Sequence, residues 1–222
     1  PPTDYNRESS ATGWFVGIIV ALALLAIGYL VFSSSARASD LNDITAGTYL
    51  LHKDGDPGCS AQAVKDDGRL LLLTANHCVV EKDGVYSVNS VTYDAIEFDK
   101  KVSETAFYVD VVKRDETTDM AVLRPVDPTL SLATVDFSTV AEAKAALVKG
   151  ADVLVAGFPD SENSPIGDLV FTDGMYTGLS RSFVPAVKAP MYRTTAPVYY
   201  GNSGGGLYVE IGDEEGGMAR VQ

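Results

Sequence analysis

Tyr200-Gly201-Asn202-Ser203-Gly204-Gly205-Gly206 sets one serine among glycines. A hydroxyl on such a turn is exposed, and glycines let the backbone come close to a carbonyl group. The N–H groups of Gly201 and Ser203 can then converge on the oxyanion that forms during acyl transfer. Taken by itself, a Gly-Ser-Gly cluster marks a surface turn as readily as a reactive site.

A serine nucleophile needs a base, and the chain has only two histidines, His52 and His77. His52 ends a strand-like run at the charged turn Lys53-Asp54 and reads as solvent-exposed. His77 lies in Leu73-Thr74-Ala75-Asn76-His77-Cys78-Val79-Val80, where an apolar strand runs into a small-residue turn that presents an imidazole. An imidazole titrates near neutrality and suits general-base work there. The competing reading of His77 is a buried structural histidine. Thr117-Thr118-Asp119-Met120-Ala121-Val122-Leu123 adds a carboxylate ahead of an alternating strand. Asp119 can accept the imidazole Nδ1–H and fix the tautomer. Asp110 and Asp115 are its competitors, and Asp110 reads as facing water.

The order His, Asp, Ser then carries weight. TANHC, DMAVL and GNSGG, in that order, resemble the three motifs of the trypsin-like serine peptidases. The likeness covers roughly residues 44–222. It implies His77 as base, Asp119 as its orienter, Ser203 as nucleophile, and the Gly201 and Ser203 amides as an oxyanion hole. The fold it implies is all-β: two six-stranded antiparallel barrels with the site in the cleft between them, the second either complete or cut short in this chain.

The resemblance also gives Cys59 and Cys78 a role, because many members join the strand before the histidine motif to a cysteine just after the histidine. That disulfide would close a loop of about 20 residues, worth about 3 kcal/mol in the chain-entropy model. It would place the catalytic part in an oxidising compartment, outside the cytoplasm. Asn202 stands where digestive members carry an aspartate that receives the freed N-terminus, so that activation switch is expected to be absent. By position, the primary pocket would begin near Pro197, with Val198 and Tyr200 on one wall. No acidic residue sits at its base, and an apolar or small side chain is the expected preference. GNSGG, with Ala156-Gly157-Phe158-Pro159 and Thr172-Asp173-Gly174-Met175 upstream, is similar to bacterial members and the Deg/HtrA group.

The elements that would position these residues are short strands. Runs at 47–52, 62–65, 69–74, 86–98 and 102–113 are rich in Val, Tyr, Leu, Ile and Thr, separated by Asp/Gly/Pro turn clusters. Ser138 caps a predicted helix over 139–148, with Gly150 at its C-terminal side. Strand-like runs resume at 152–158, 169–172, 175–179, 191–196 and 205–211. The first barrel is expected over about 44–126 and the second over about 150–222.

The 222 residues carry a formal net charge of −13, which argues against a nucleic-acid partner. No His/Cys/Asp spacing reads as a metal set, and no cofactor is expected. Residues 1–13 read as a polar tail and 33–43 as a linker. Residues 14–32, WFVGIIVALALLAIGYLVF, are uncharged. As a helix they rise about 28 Å, matching a hydrocarbon core of about 30 Å. This is a membrane anchor or the core of a signal peptide cleaved after Ala38; its length favours the anchor. The start at Pro1-Pro2 and the stop inside the strand-like run 218–222 read as those of a fragment.

The function expected is a serine endopeptidase acting on protein or peptide substrates, membrane-tethered or exported, with its catalytic part periplasmic or extracellular. Two alternatives stand beside it. A protease-like binding module would use the cleft without catalysis. An esterase-type hydrolase would place Gly-x-Ser-x-Gly between a strand and a helix.

Overall fold

The computed structural model describes residues 41–80, 84–93, 101–136, 140–160, 167–182, 184–210 and 218–221. A short helix, α1 (residues 41–47), leads straight into the first strand. Six strands follow: β1 (Thr48–Lys53), β2 (Asp56–Asp66), β3 (Arg69–Ala75), β4 (Tyr86–Tyr93), β5 (Lys101–Asp115) and β6 (Met120–Pro125). They close into an antiparallel barrel in the order β1-β2-β3-β6-β5-β4. Closure pairs every strand on both sides and removes exposed edges.

Period-two alternation sends one set of side chains into the barrel. Tyr49, Leu51, Ala61, Ala63, Leu72, Val88, Val109, Ala121 and Leu123 form that core. Alanines opposite Leu and Tyr let large and small side chains interdigitate. Strand β2 is buried on both faces: Ala61 and Ala63 point into the barrel, while Ser60 and Gln62, both 0% exposed, face the second half of the molecule. Gln62 donates to Thr48 Oγ1 at 3.0 Å, and its Oε1 accepts from the Tyr208 hydroxyl across the seam.

Helix α2 (Val140–Ala146) links to the second half, which contains β7 (Asp152–Gly157), β8 (Val170–Arg181), β9 (Pro190–Thr194), β10 (Gly206–Glu210) and β11 (Met218–Val221). These form a five-stranded sheet in the order β11-β10-β7-β8-β9. The second unit is a curled half-barrel and not a closed six-stranded barrel, the incomplete form that the expectation had allowed for. Strands β9 and β11 stand at its edges and, among the described residues, do not meet.

Two turn readings also change. Asp173-Gly174 does not interrupt a strand; β8 runs through it, with Gly174 opposite Val153. The glycine is there for close approach, since a Cβ on it would lie 2.2 Å from Ala196 N. The turn cluster between the runs 47–52 and 62–65 narrows to a turn at 54–55, and Pro57 already pairs with His52 beside a register shift. The predicted membrane segment 14–32, the tail 1–13 and most of the linker lie outside the described residues. Among the described residues, no helix is long and apolar enough to cross a membrane.

Candidate active site

Strand β3 delivers the first functional side chain. Its apolar run ends at Ala75, opposite Met120, and the chain turns into a 3-10 helix, Asn76–Val79. Val79, 1% exposed, anchors that turn in the barrel core, and Arg114 Nη1 caps its carbonyl at 3.0 Å. With the turn fixed at Val79, His77 projects outward and its side chain is 57% exposed. It is not a buried structural histidine. His52 takes the other course: its Nδ1 is 3.1 Å from Gly55 O at the β1–β2 turn.

Asp119 meets His77 from the turn before β6. Its Oδ2 lies 2.8 Å from His77 Nδ1, and its Oδ1 accepts the His77 backbone N–H at 3.0 Å. The Asp119 carbonyl accepts Asn76 N–H at 2.9 Å. Three contacts thus bind one short turn to another. A carboxylate oxygen only accepts, so the ring proton belongs on Nδ1 and the Nε2 lone pair is left free. Asp119 reaches this position at φ 55°, the left-handed region that Asp tolerates better than most side chains.

The competing aspartates have other partners. Asp115 accepts from Thr117 Oγ1 at 2.7 Å and Thr117 N at 2.9 Å, and these bonds hold its carboxyl below the ordinary range. Asp110 pairs with Arg124 at 3.5 Å on the exposed face. Asp115 therefore shapes the turn that presents Asp119. The carbonyl of Thr117, in the same turn, accepts Lys188 N–H at 2.7 Å and Ala189 N–H at 3.1 Å from the β8–β9 loop.

Cys59 and Cys78 are joined in a disulfide, connecting β2 to the histidine turn. Donor atoms of Cys59, His77 and Cys78 lie within 4.8 Å of one another. The sulfurs are bonded to each other, so neither offers the thiolate a metal would need.

The Ser203 turn packs against this same corner. Ser203 O accepts Ser60 N–H at 2.8 Å, and Cys78 Sγ lies 4.0 Å from that oxygen. Gly201 adopts φ 90°, and a Cβ there would lie 2.2 Å from Phe158 O, so only glycine fits. The flanking carbonyls are all engaged. Tyr200 O accepts Asp160 N–H at 2.6 Å, Gly201 O accepts the Ser60 hydroxyl at 2.7 Å, and Asn202 O accepts Gly205 N–H at 2.8 Å. Among the described residues, the N–H groups of Gly201 and Ser203 find no acceptor. Ser203 Oγ makes no hydrogen bond to His77. After the turn the chain enters β10, not a helix, unlike the nucleophile elbow of the esterase alternative.

Pro197, Val198 and Tyr200 lie on the exposed stretch leading into this turn, Val198 at 57% and Tyr200 at 89% exposure. Thr172 Oγ1 fixes the Pro197 carbonyl at 2.8 Å. Asn202 is buried, and its Oδ1 has no hydrogen-bond partner. A concavity of about 1000 Å³ lies elsewhere, on the outer side of the first barrel beside Arg69, Lys113 and Arg124, and shares no residue with this corner. The positions that sequence reasoning missed are Ser60, Phe158 and Asp160.

A closed six-stranded barrel and a curled half-barrel define the chymotrypsin-like class of fold. The chain belongs to the trypsin-like peptidase domain family, whose model matches residues 59–213, and it is a serine-type endopeptidase. Solved structures show the same fold at low identity. Deg5 is 18% identical with a TM-score of 0.58, over 79% of this chain and 80% of that one. The HtrA-type protease AlgW, solved with a tripeptide, is 22% identical with a TM-score of 0.56, over 78% of this chain and 50% of that one. The inactive form of the Rv3671c protease, from M. tuberculosis, is 19% identical with a TM-score of 0.51, over 85% and 89%. The chain thus spans about half the length of the AlgW chain. No curated protein matches it in sequence.

Proposed function

We propose that Ser203 is the nucleophile of this peptidase, His77 its general base and Asp119 the residue that orients the base. The observation that carries the reading is the double contact of Asp119 with His77, at 2.8 Å to the ring and 3.0 Å to the backbone. It leaves Nε2 free on the exposed side of the ring. Ser203 Oγ attacks the peptide carbonyl while Nε2 takes its proton, and Asp119 stabilises the imidazolium. The unpaired N–H groups of Gly201 and Ser203 receive the oxyanion. His77 then protonates the leaving amine, and water hydrolyses the acyl-enzyme by the reverse sequence. Triad hydrogen bonds of a free enzyme are often long and tighten when substrate fills the site. That accounts for a serine hydroxyl not yet bonded to its base.

The substrates are peptides or unfolded protein segments. Support comes from the exposed strip Pro197, Val198, Tyr200 next to the nucleophile, and from AlgW, solved with tripeptide and decapeptide. No acidic side chain stands on that strip, which favours apolar or small side chains at the cleaved bond. The catalytic part works outside the cytoplasm, tethered by residues 14–32. Their uncharged nineteen-residue run and the Cys59–Cys78 disulfide support this. Asn202 lacks the charge to bind a freed N-terminal ammonium, so activity does not await such a cleavage.

The test is labelling of the full chain with a fluorophosphonate, beside Ser203→Ala and His77→Ala. Wild type labels, Ser203→Ala does not, and His77→Ala labels far more slowly. Equal labelling of wild type and Ser203→Ala overturns the nucleophile assignment. Carbonate extraction of membranes checks the tether; release of intact chain into the soluble fraction argues against it.

A further inference from the structure

Ser60 sits in β2, a strand of the first barrel, yet most of its hydrogen bonds serve the second half. It is 0% exposed. Its N–H donates to Ser203 O at 2.8 Å, and its hydroxyl donates to Gly201 O at 2.7 Å. The same hydroxyl oxygen accepts Phe158 N–H at 2.9 Å, and the Ser60 carbonyl accepts the Thr74 hydroxyl at 2.7 Å. One buried serine therefore engages the carbonyls of both residues whose N–H groups are unpaired.

Gly201 has no side chain to lock it, and glycine explores more backbone conformations than any other residue. What holds it are the bonds to the two flanking carbonyls: Asp160 N–H on Tyr200 O, and the Ser60 hydroxyl on Gly201 O. The first fixes the peptide that carries the Gly201 N–H. The second fixes rotation on the other side of the α-carbon. The Phe158 N–H, donating into the Ser60 oxygen, polarises its O–H and strengthens the bond it makes. Without that hydroxyl, the Gly201 carbonyl and the Phe158 N–H are both buried and unpaired, a penalty the turn relieves by rotating.

We propose that Ser60 is the positioning residue of the oxyanion site: its hydroxyl keeps the Gly201 N–H aligned with the Ser203 N–H. It acts through Gly201 and touches no substrate atom. The proposal rests on the reading of those two amides as the oxyanion donors.

The experiment compares Ser60→Ala, Ser60→Cys and Thr74→Ala in the full chain. Each is measured for kcat and KM on a peptide amide, and for affinity toward a peptide aldehyde whose tetrahedral adduct carries an oxyanion. Removing a whole oxyanion donor costs about 10²–10³ in kcat, so loss of its alignment in Ser60→Ala is expected to cost about 10–10². Aldehyde affinity falls by the same factor while KM stays within about twofold, because the lost interaction belongs to the transition state. Ser60→Cys, which keeps a weak donor, falls between, and it decides the matter if Ser60→Ala does not fold. Thr74→Ala loosens Ser60 from the barrel without touching the Gly201 carbonyl and leaves aldehyde affinity intact. Unchanged kcat and aldehyde affinity in both Ser60 variants overturn the proposal. So does an equal loss in Thr74→Ala, which would mean general loosening. Retained activity in Ser203→Ala would instead sink the nucleophile reading itself, whatever Ser60 does.

Discussion

Asp119 grips His77 at two points, one carboxylate oxygen on the ring Nδ1 and the other on the backbone N–H. The ring is therefore oriented and the turn beneath it is fixed by the same side chain. Asp119→Asn keeps the shape but puts a donor where an acceptor is needed, and the ring responds by taking the other tautomer. We expect kcat to fall about 10⁴-fold at neutral pH with little change in KM. Steady-state kinetics on a peptide amide check this; a loss under tenfold would remove Asp119 from the proposed triad.

Gly157 closes the floor under the serine turn. A Cβ there would lie 2.6 Å from Asn202 Oδ1 and 2.9 Å from Ser60 Oγ. Gly157→Ala must displace one or both, so fluorophosphonate labelling should slow at least tenfold. Overpacking of this kind costs about 1–3 kcal/mol, readable by urea titration. Labelling at the wild-type rate would show that the turn tolerates the shift.

How much of this was legible in sequence depends on how local the determinant is. His77, Asp119 and Ser203 each sit in a short contiguous motif, and the order of the three motifs, through its resemblance to the trypsin-like peptidases, made them the candidates. Ser60 gave no such signal. Its partners Gly201 and Ser203 lie more than 140 positions away, and a serine in a strand is ordinary until the second half of the molecule covers it. The same reason hid the Asp160 contact. Strand existence was readable from alternation, but β8 was split at Asp173-Gly174 because glycine signals both turns and close packing. The curl of the second sheet depends on which strands meet across space, and no local pattern encodes that.

The Cys59–Cys78 bridge should be a source of stability as well as of rigidity. Its loop spans 19 positions, for which the chain-entropy model gives about 3 kcal/mol. Reduction, or a double Cys59→Ala, Cys78→Ala variant, should lower the unfolding free energy by that amount, read as a fall in the urea midpoint at unchanged slope. A midpoint insensitive to reductant, with thiol release confirmed, would contradict it.

Tyr49 predicts a pH effect at the alkaline end. It is 2% exposed, its hydroxyl donates to Ala133 O at 3.2 Å, and burial pushes its phenol up to about 12. In the unfolded chain the phenol ionises near 10. The folded state therefore holds the proton longer, so this stability is complete below pH 10 and is lost as pH rises from 10 to 12. At about 1.4 kcal/mol per pH unit the loss approaches 3 kcal/mol. Tyr49→Phe should lose less over that interval than wild type, as equilibrium unfolding at pH 9, 10.5 and 12 would show. Parallel curves would rule out a Tyr49 contribution.

The two bonds from Lys188 and Ala189 to Thr117 O belong with those of Ser60, because both tie one half of the molecule to the other. One suture passes beneath the Ser203 turn, the other beside the Asp119 turn. The halves cannot part slightly and leave the chemistry intact, since any opening disturbs both sutures together. Catalytic competence should consequently vanish in the same cooperative step as the interface. Amide protection at Ser60, Lys188 and Ala189 would then decay at one common rate, making activity a direct reporter of whether the halves are docked.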